Sequence, residues 1–311
     1  MNIRKIHKSF VANRLPLIMA FLLFVALRIP WLGEGSPLEF WGSILIQSGT
    51  ALFLLYLTQV YGIIRQKTLL PAFFYLLLAG TNPLFFYDLR GSISAFLVAF
   101  CLIFLFNTYH RPLSQRSVLN MALILTVGSF YWVPLLFFFP LFWYGMYRFK
   151  SLNCKTFFSG LTGIILVFLF LLAWSVYKND WTIFVQVRSD WAALFDFQFF
   201  SVGIKEGMMI IFLTFLYILS GIKIFMAGIA EKVQTVNVLR YLYGLIWILF
   251  VFFLIQNQWD REWLSVLYIP VSLLVAHYFT FSSKRGELWL FLLTILFFLS
   301  NVCMAVIERF S

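Results

Sequence analysis

The chain has 311 residues, of which 62% are hydrophobic and only 11% charged, and its mean hydropathy is +0.92. A soluble protein of this length would cover itself with far more charge, so the composition excludes a soluble globular fold and implies an all-α, polytopic transmembrane helical bundle. The formal charge of +11 would suggest nucleic acid for a soluble protein, but its distribution along this chain points elsewhere.

A basic opening, MNIRKIHKSFVANR, precedes the first apolar segment at 15–31. Leu27 to Trp31 offers no small-x-small cleavage site and many spans follow, so an uncleaved first helix is expected. Arg28 lies within that apolar register, where it either snorkels to the outer interface or faces the protein interior to meet an acid or phosphate. The first outer connection, PWLGEGSPLEFWG, carries Glu34 and Glu39. Ser36, Pro37 and Glu39 fit the start of a helix, with Ser36 as cap. Glu34 has no such ready role.

Further segments at 41–64, 69–87 and 91–107 follow, against a requirement of roughly 20 apolar residues per crossing. Between the last two, NPLFFYDLRGS places Asp88 and Arg90 at an outer turn. Residues two apart do not share a helix face, so a direct pair needs a nonhelical turn or other partners. The next run, 117–147, is too long for one crossing and is expected to divide at FYWVP into 117–131 and 133–147.

The segment 156–176 leads into the longest outer connection, 177–206, which sets Trp181, Trp191, Phe195, Phe197, Phe199 and Phe200 among isolated charges. It reads as an outer-side interfacial aromatic loop of one or two surface helices. The remaining segments are 207–228, 241–256, 263–281 and 287–307, making eleven in a single transmembrane domain, 1–311. NQWDREW, between the ninth and tenth, packs Asp260, Arg261 and Glu262 between Trp259 and Trp263. It suits either an aromatic belt or a headgroup-binding rim, since arginine can fork onto phosphate and tryptophan can cover a sugar or lipid face.

With the N-terminus in the cytoplasm, 16 of the 23 basic residues fall on the inner side and ten of the twelve acids on the outer side. This is the positive-inside bias, so the basic excess reports orientation and contact with anionic membrane lipids rather than a nucleic-acid partner. The C-terminus is then periplasmic. Three scattered cysteines and a lone intramembrane histidine, His277, form no metal motif, and nucleotide-binding fingerprints are absent. Forty phenylalanines line nearly every span as packing and lipid-facing surface, along which a polyprenyl chain would fit.

YIPVSLLVAHYF, Tyr268 to Phe279, and the inner basic connections resemble a family of polytopic inner-membrane proteins of Bacteroidota, which implies a location but no activity. Over roughly the first 150 residues, the acidic first outer loop followed by NPLFFYDLRGS resembles the GT-C-fold glycosyltransferases that use polyprenyl-phosphate sugars. That resemblance implies a catalytic acid at Glu34, or otherwise Glu39, with Asp88 positioning the acceptor or a divalent metal ion. Arg28, Arg90 and Arg261 are then the phosphate-binding candidates for the lipid donor. The first outer connection is shorter than in those enzymes and offers glutamates where they carry an aspartate motif. Three functions follow as expectations: such a transferase, a noncatalytic subunit of an envelope-export or biosynthetic complex docking a membrane-protein partner through 177–206, or a lipid or small-molecule transporter.

Overall fold

The computed structural model describes residues 15–33, 35–66, 68–193, 204–226, 232–255, 260–280 and 285–310. Among them are twelve α-helices: α1 Leu15–Ala26, α2 Pro37–Val60, α3 Leu70–Thr81, α4 Leu89–Asn107, α5 Gln115–Ser129, α6 Phe138–Arg148, α7 Cys154–Lys178, α8 Thr182–Ala193, α9 Ile204–Met226, α10 Val233–Ile255, α11 Asp260–Thr280 and α12 Arg285–Phe310. Each of the eleven apolar segments meets its own helix, and α8 occupies part of the 177–206 connection. Among the described residues, six helices are long and apolar enough to cross a membrane: α2, α4, α7, α9, α10 and α11. The chain is therefore an all-α, multi-pass membrane protein.

Helix boundaries follow local chemistry. Ser36 Oγ accepts from Glu39 N at 3.2 Å with Pro37 in the first turn, the cap anticipated from SPLE. Tyr61 closes α2, and Gly62 follows in the left-handed region at φ +59°. The 117–147 run breaks where expected: α5 ends at Ser129 and a 3-10 turn, Val133–Phe137, carries Pro134 into α6. A reciprocal capping box, Asn153 with Thr156, starts α7.

The helices group into two compact units. Unit 1 comprises residues 1–96, 201–250 and 261–311. Within it, all twelve residues of α3 are buried, and the apolar stretch of α11 is enclosed on every side, as befits helices apolar all round. Phe74 of α3 stacks on Phe279 of α11 and meets Phe291 of α12 edge-on. Lys223 of α9 donates to the Tyr278 carbonyl at 2.9 Å and lies 3.5 Å from Glu287 of α12.

Unit 2 comprises residues 97–200 and 251–260. Its backbone is the close packing of α5 on α7. A Cβ on Gly163 would sit 2.6 Å from Ala122 Cβ and 3.2 Å from the Leu119 carbonyl, so glycine lets the two backbones approach as small residues do in membrane helix pairs. Gly163→Ala is expected to destabilise the detergent-solubilised protein by about 1–3 kcal/mol through overpacking. In thermal unfolding, Ala122→Gly added to it recovers much of that loss; a double variant no more stable than Gly163→Ala refutes the contact.

Candidate functional site

Apolar helices in unit 1 converge on a connected polar cluster. Its innermost member is Arg28, fully buried just past α1. Its Nη1 donates to Ser43 Oγ at 3.1 Å, and its Nη2 donates to Gln47 Oε1 and to the Ala79 carbonyl at 3.4 Å. The guanidinium carbon lies 4.2 Å from the Phe24 ring centroid and 4.9 Å from that of Phe86. Two π faces and three neutral oxygens thus hold the charge, and Nε has no hydrogen-bond partner. Arg28 is buried rather than snorkelling to an interface, but the partners around it are neutral oxygens and rings, not the acid or phosphate that the interior reading supposes.

From Arg28 the network runs on through uncharged side chains, Ser43, Gln47 and Ser92, which charge alone does not single out in the sequence. Gln47 Nε2 donates to Ser92 Oγ at 2.7 Å, and Ser92 Oγ donates to the Asp88 carbonyl at 2.6 Å. Ser43 Oγ reaches the carbonyl of Phe86 at 2.8 Å. Ser43 and Gln47 are four residues apart in α2, hence on one face. A polar pair at that spacing inside an apolar helix is the signal that would have found them.

Asp88 sits at the turn ahead of α4, where its carboxylate caps the helix. Oδ1 accepts from Gly91 N at 2.8 Å, and Oδ2 accepts from Ser265 Oγ of α11 at 3.2 Å. Gly91 is required for this arrangement, because a Cβ there would fall 1.9 Å from Asp88 Oδ2. Burial pushes the carboxyl above the ordinary aspartate range, while the Gly91 and Ser265 bonds and the charges of Arg261 and Arg90 pull it back down. The arrangement is a partly desolvated carboxylate, fixed by two donors, beside two cations. Such a group can accept a proton, and the cations can hold an anion.

Arg90 does not close onto Asp88 as a simple pair. Its Nη1 lies 4.0 Å from Glu262 Oε1, with the Arg90 side chain half exposed, a contact worth at most about 1 kcal/mol. Arg261 is exposed at the start of α11, and its charge also reaches Asp88. Trp263 is fully buried, so its ring packs the unit instead of forming an open rim. Glu39 is exposed in the first turn of α2. Asp260 begins α11, whereas Glu34 and Trp259 lie outside the described residues. The structure thus joins Arg28, Asp88, Arg90, Arg261 and Glu262 in one unit. Among the described residues, no three His, Cys, Asp or Glu side chains group as a metal cage would require.

A double-mutant cycle tests the innermost link. Arg28→Met and Gln47→Leu each strand a polar partner, whereas the double variant removes both, so a coupling of about 1–3 kcal/mol is expected in denaturant unfolding. Strict additivity would show that the two side chains are not energetically linked. Comparison of the chain with protein-family models, curated proteins and solved structures returns no match, so the functional reading starts from this geometry.

Proposed function

We propose that unit 1 carries the outer-face active site of a GT-C-like transferase, which moves a sugar from a polyprenyl-phosphate donor to an envelope acceptor. The observation that supports it is the fixed Asp88 carboxylate with Arg90 and Arg261 within electrostatic reach. In this reading Asp88 takes the proton from an acceptor hydroxyl as that oxygen bonds to the anomeric carbon. The anomeric carbon–oxygen bond breaks, and the electron pair leaves with the lipid phosphate, held by Arg90 and Arg261. Arg28, enclosed by Phe24 and Phe86, positions the ends of α1 and α2 and the turn before α4. The chain lies in the bacterial inner membrane with its N-terminus cytoplasmic and crosses eleven times, the shorter helices shielded by their neighbours.

A second reading has a specific observation behind it. Tyr177 is 80% exposed and Trp181 49% exposed at the junction of α7 and α8, a surface suited to a membrane-protein partner of a noncatalytic subunit. Sugar transfer in proteoliposomes from a polyprenyl-phosphate-sugar donor separates the two. Asp88→Asn keeps a capping side chain, so it is expected to preserve the melting temperature while lowering turnover about 10²–10⁴-fold, the scale of a lost general base. Gly91→Ala, which displaces the carboxylate, should be comparably inactive. Wild-type activity should fall as pH drops through the raised pKa of Asp88, because protonation removes the base. Unchanged turnover in Asp88→Asn, or a stoichiometric partner copurifying with protein that transfers no sugar, refutes the transferase.

A further inference from the structure

Unit 2 contains an open groove of about 700 Å³ between the first turns of α5 and α7. Arg116 and Asn120 line it from α5; Lys155 and Phe158 line it from α7. Both helices begin at this end because their leading connections interlock. Asn153 Nδ2 donates to the Pro112 carbonyl at 2.7 Å, His110 N to the Phe149 carbonyl at 3.1 Å, and Ser151 Oγ to Thr108 Oγ1 at 3.0 Å. Ser159 Oγ donates to the Gln115 carbonyl at 2.8 Å and ties the two helix starts together.

The charge pattern leaves this end without a counterion of its own. Between Asp88 and Asp180 the sequence has no acid at all, yet the stretch places Arg111, Arg116, Arg148, Lys150 and Lys155 in or beside these two connections. Among the described residues neither Arg116 nor Lys155 forms an ion pair. From Phe158, 62% exposed, an apolar stripe continues along α7 through Ile165, Leu166 and Leu169, each more than half exposed. Those spacings of seven, eight and eleven residues keep the stripe on one helix face. The groove therefore joins two cations to an apolar track leading away from them, the two halves of a phospholipid's chemistry.

We infer that this groove is a binding site for the phosphodiester headgroup of an anionic phospholipid, with an acyl chain lying along the α7 stripe. Arg116 and Lys155 neutralise the phosphate, and the Asn120 amide donates to it. The site is independent of the transferase reading, since it uses none of the residues of unit 1.

Cys154 also lines the groove and is exposed, Cys303 is exposed on α12, and Cys101 is fully buried. These three thiols provide a reporter, a reference and a folding control within one chain. The protein is placed in nanodiscs of phosphatidylcholine with or without phosphatidylglycerol, and alkylation by N-ethylmaleimide is followed residue by residue by mass spectrometry. Phosphatidylglycerol should slow Cys154 relative to Cys303, and Arg116→Gln and Lys155→Gln should each weaken that dependence about fivefold, with Cys101 unreactive throughout. Equal Cys154 rates in the two discs overturn the site. So does slowing that persists in the double variant, which would be a surface-potential effect. Equal protection by free glycerol phosphate in phosphatidylcholine discs overturns the lipid as its source.

Discussion

The constraint around which unit 1 is organised is a full positive charge enclosed by apolar helices. Arg28 is held by two aromatic faces and by oxygens from α2 and the C-terminal end of α3, and none of these groups carries a charge. Burying a cation without compensation is costly, so its neighbours are tightly specified. Ser43 and Gln47 must share a face of α2, the end of α3 must turn a carbonyl inward, and Phe24 and Phe86 must lie close to the guanidinium. Each requirement fixes an element on which Asp88 depends, because the same Gln47 that accepts from Arg28 donates to Ser92 at the start of α4. The acid's position and the arginine's burial are consequences of one network.

Much of the fold was legible in the residues. Apolar segments separated by Pro, Gly and basic clusters gave a one-to-one match with helices, and SPLE and FYWVP marked a cap and a break that the structure contains. These signals are local, so sequence carries them. The site was only partly legible. Arg28 and Asp88 stood out as charges in apolar surroundings, but the choice between snorkelling and enclosure depends on α2 and α3, whose positions no local pattern reveals. Asp88 meets Ser265, 177 residues away, through packing of α11 that leaves no mark in either segment. Trp263 illustrates the converse: a tryptophan beside charges looks interfacial, and only the enclosure of α11 buries it.

The two units manage charge in different ways. In unit 1, acids and bases are both present and are distributed among caps, networks and pairs such as Lys223 with Glu287. In unit 2 the stretch from Leu97 to Asn179 is basic and acid-free, so α5, α6 and α7 are tied by backbone contacts, glycine-mediated approach and neutral caps, and the first carboxylate after them, Asp180, caps α8. That division follows from chemistry available to each segment: where no carboxylate exists, stability comes from Gly163, the Asn153 capping box and the interlocked connections, and the cations face outward.

The enclosure of α3 also bears on how the chain enters its membrane. At 12 residues it extends roughly 18 Å, less than the apolar thickness of a bilayer, and the aromatic partners of Phe74 on α11 and α12 are encoded some 200 residues later. During synthesis the first quarter of the chain emerges long before those partners exist. The continuous segment of unit 2 can assemble while α3 still waits for the helices that will surround it. Biogenesis thus has to shelter a short, incompletely covered helix until the last part of the chain is made, which makes the C-terminal helices the step that completes the first-made half of unit 1.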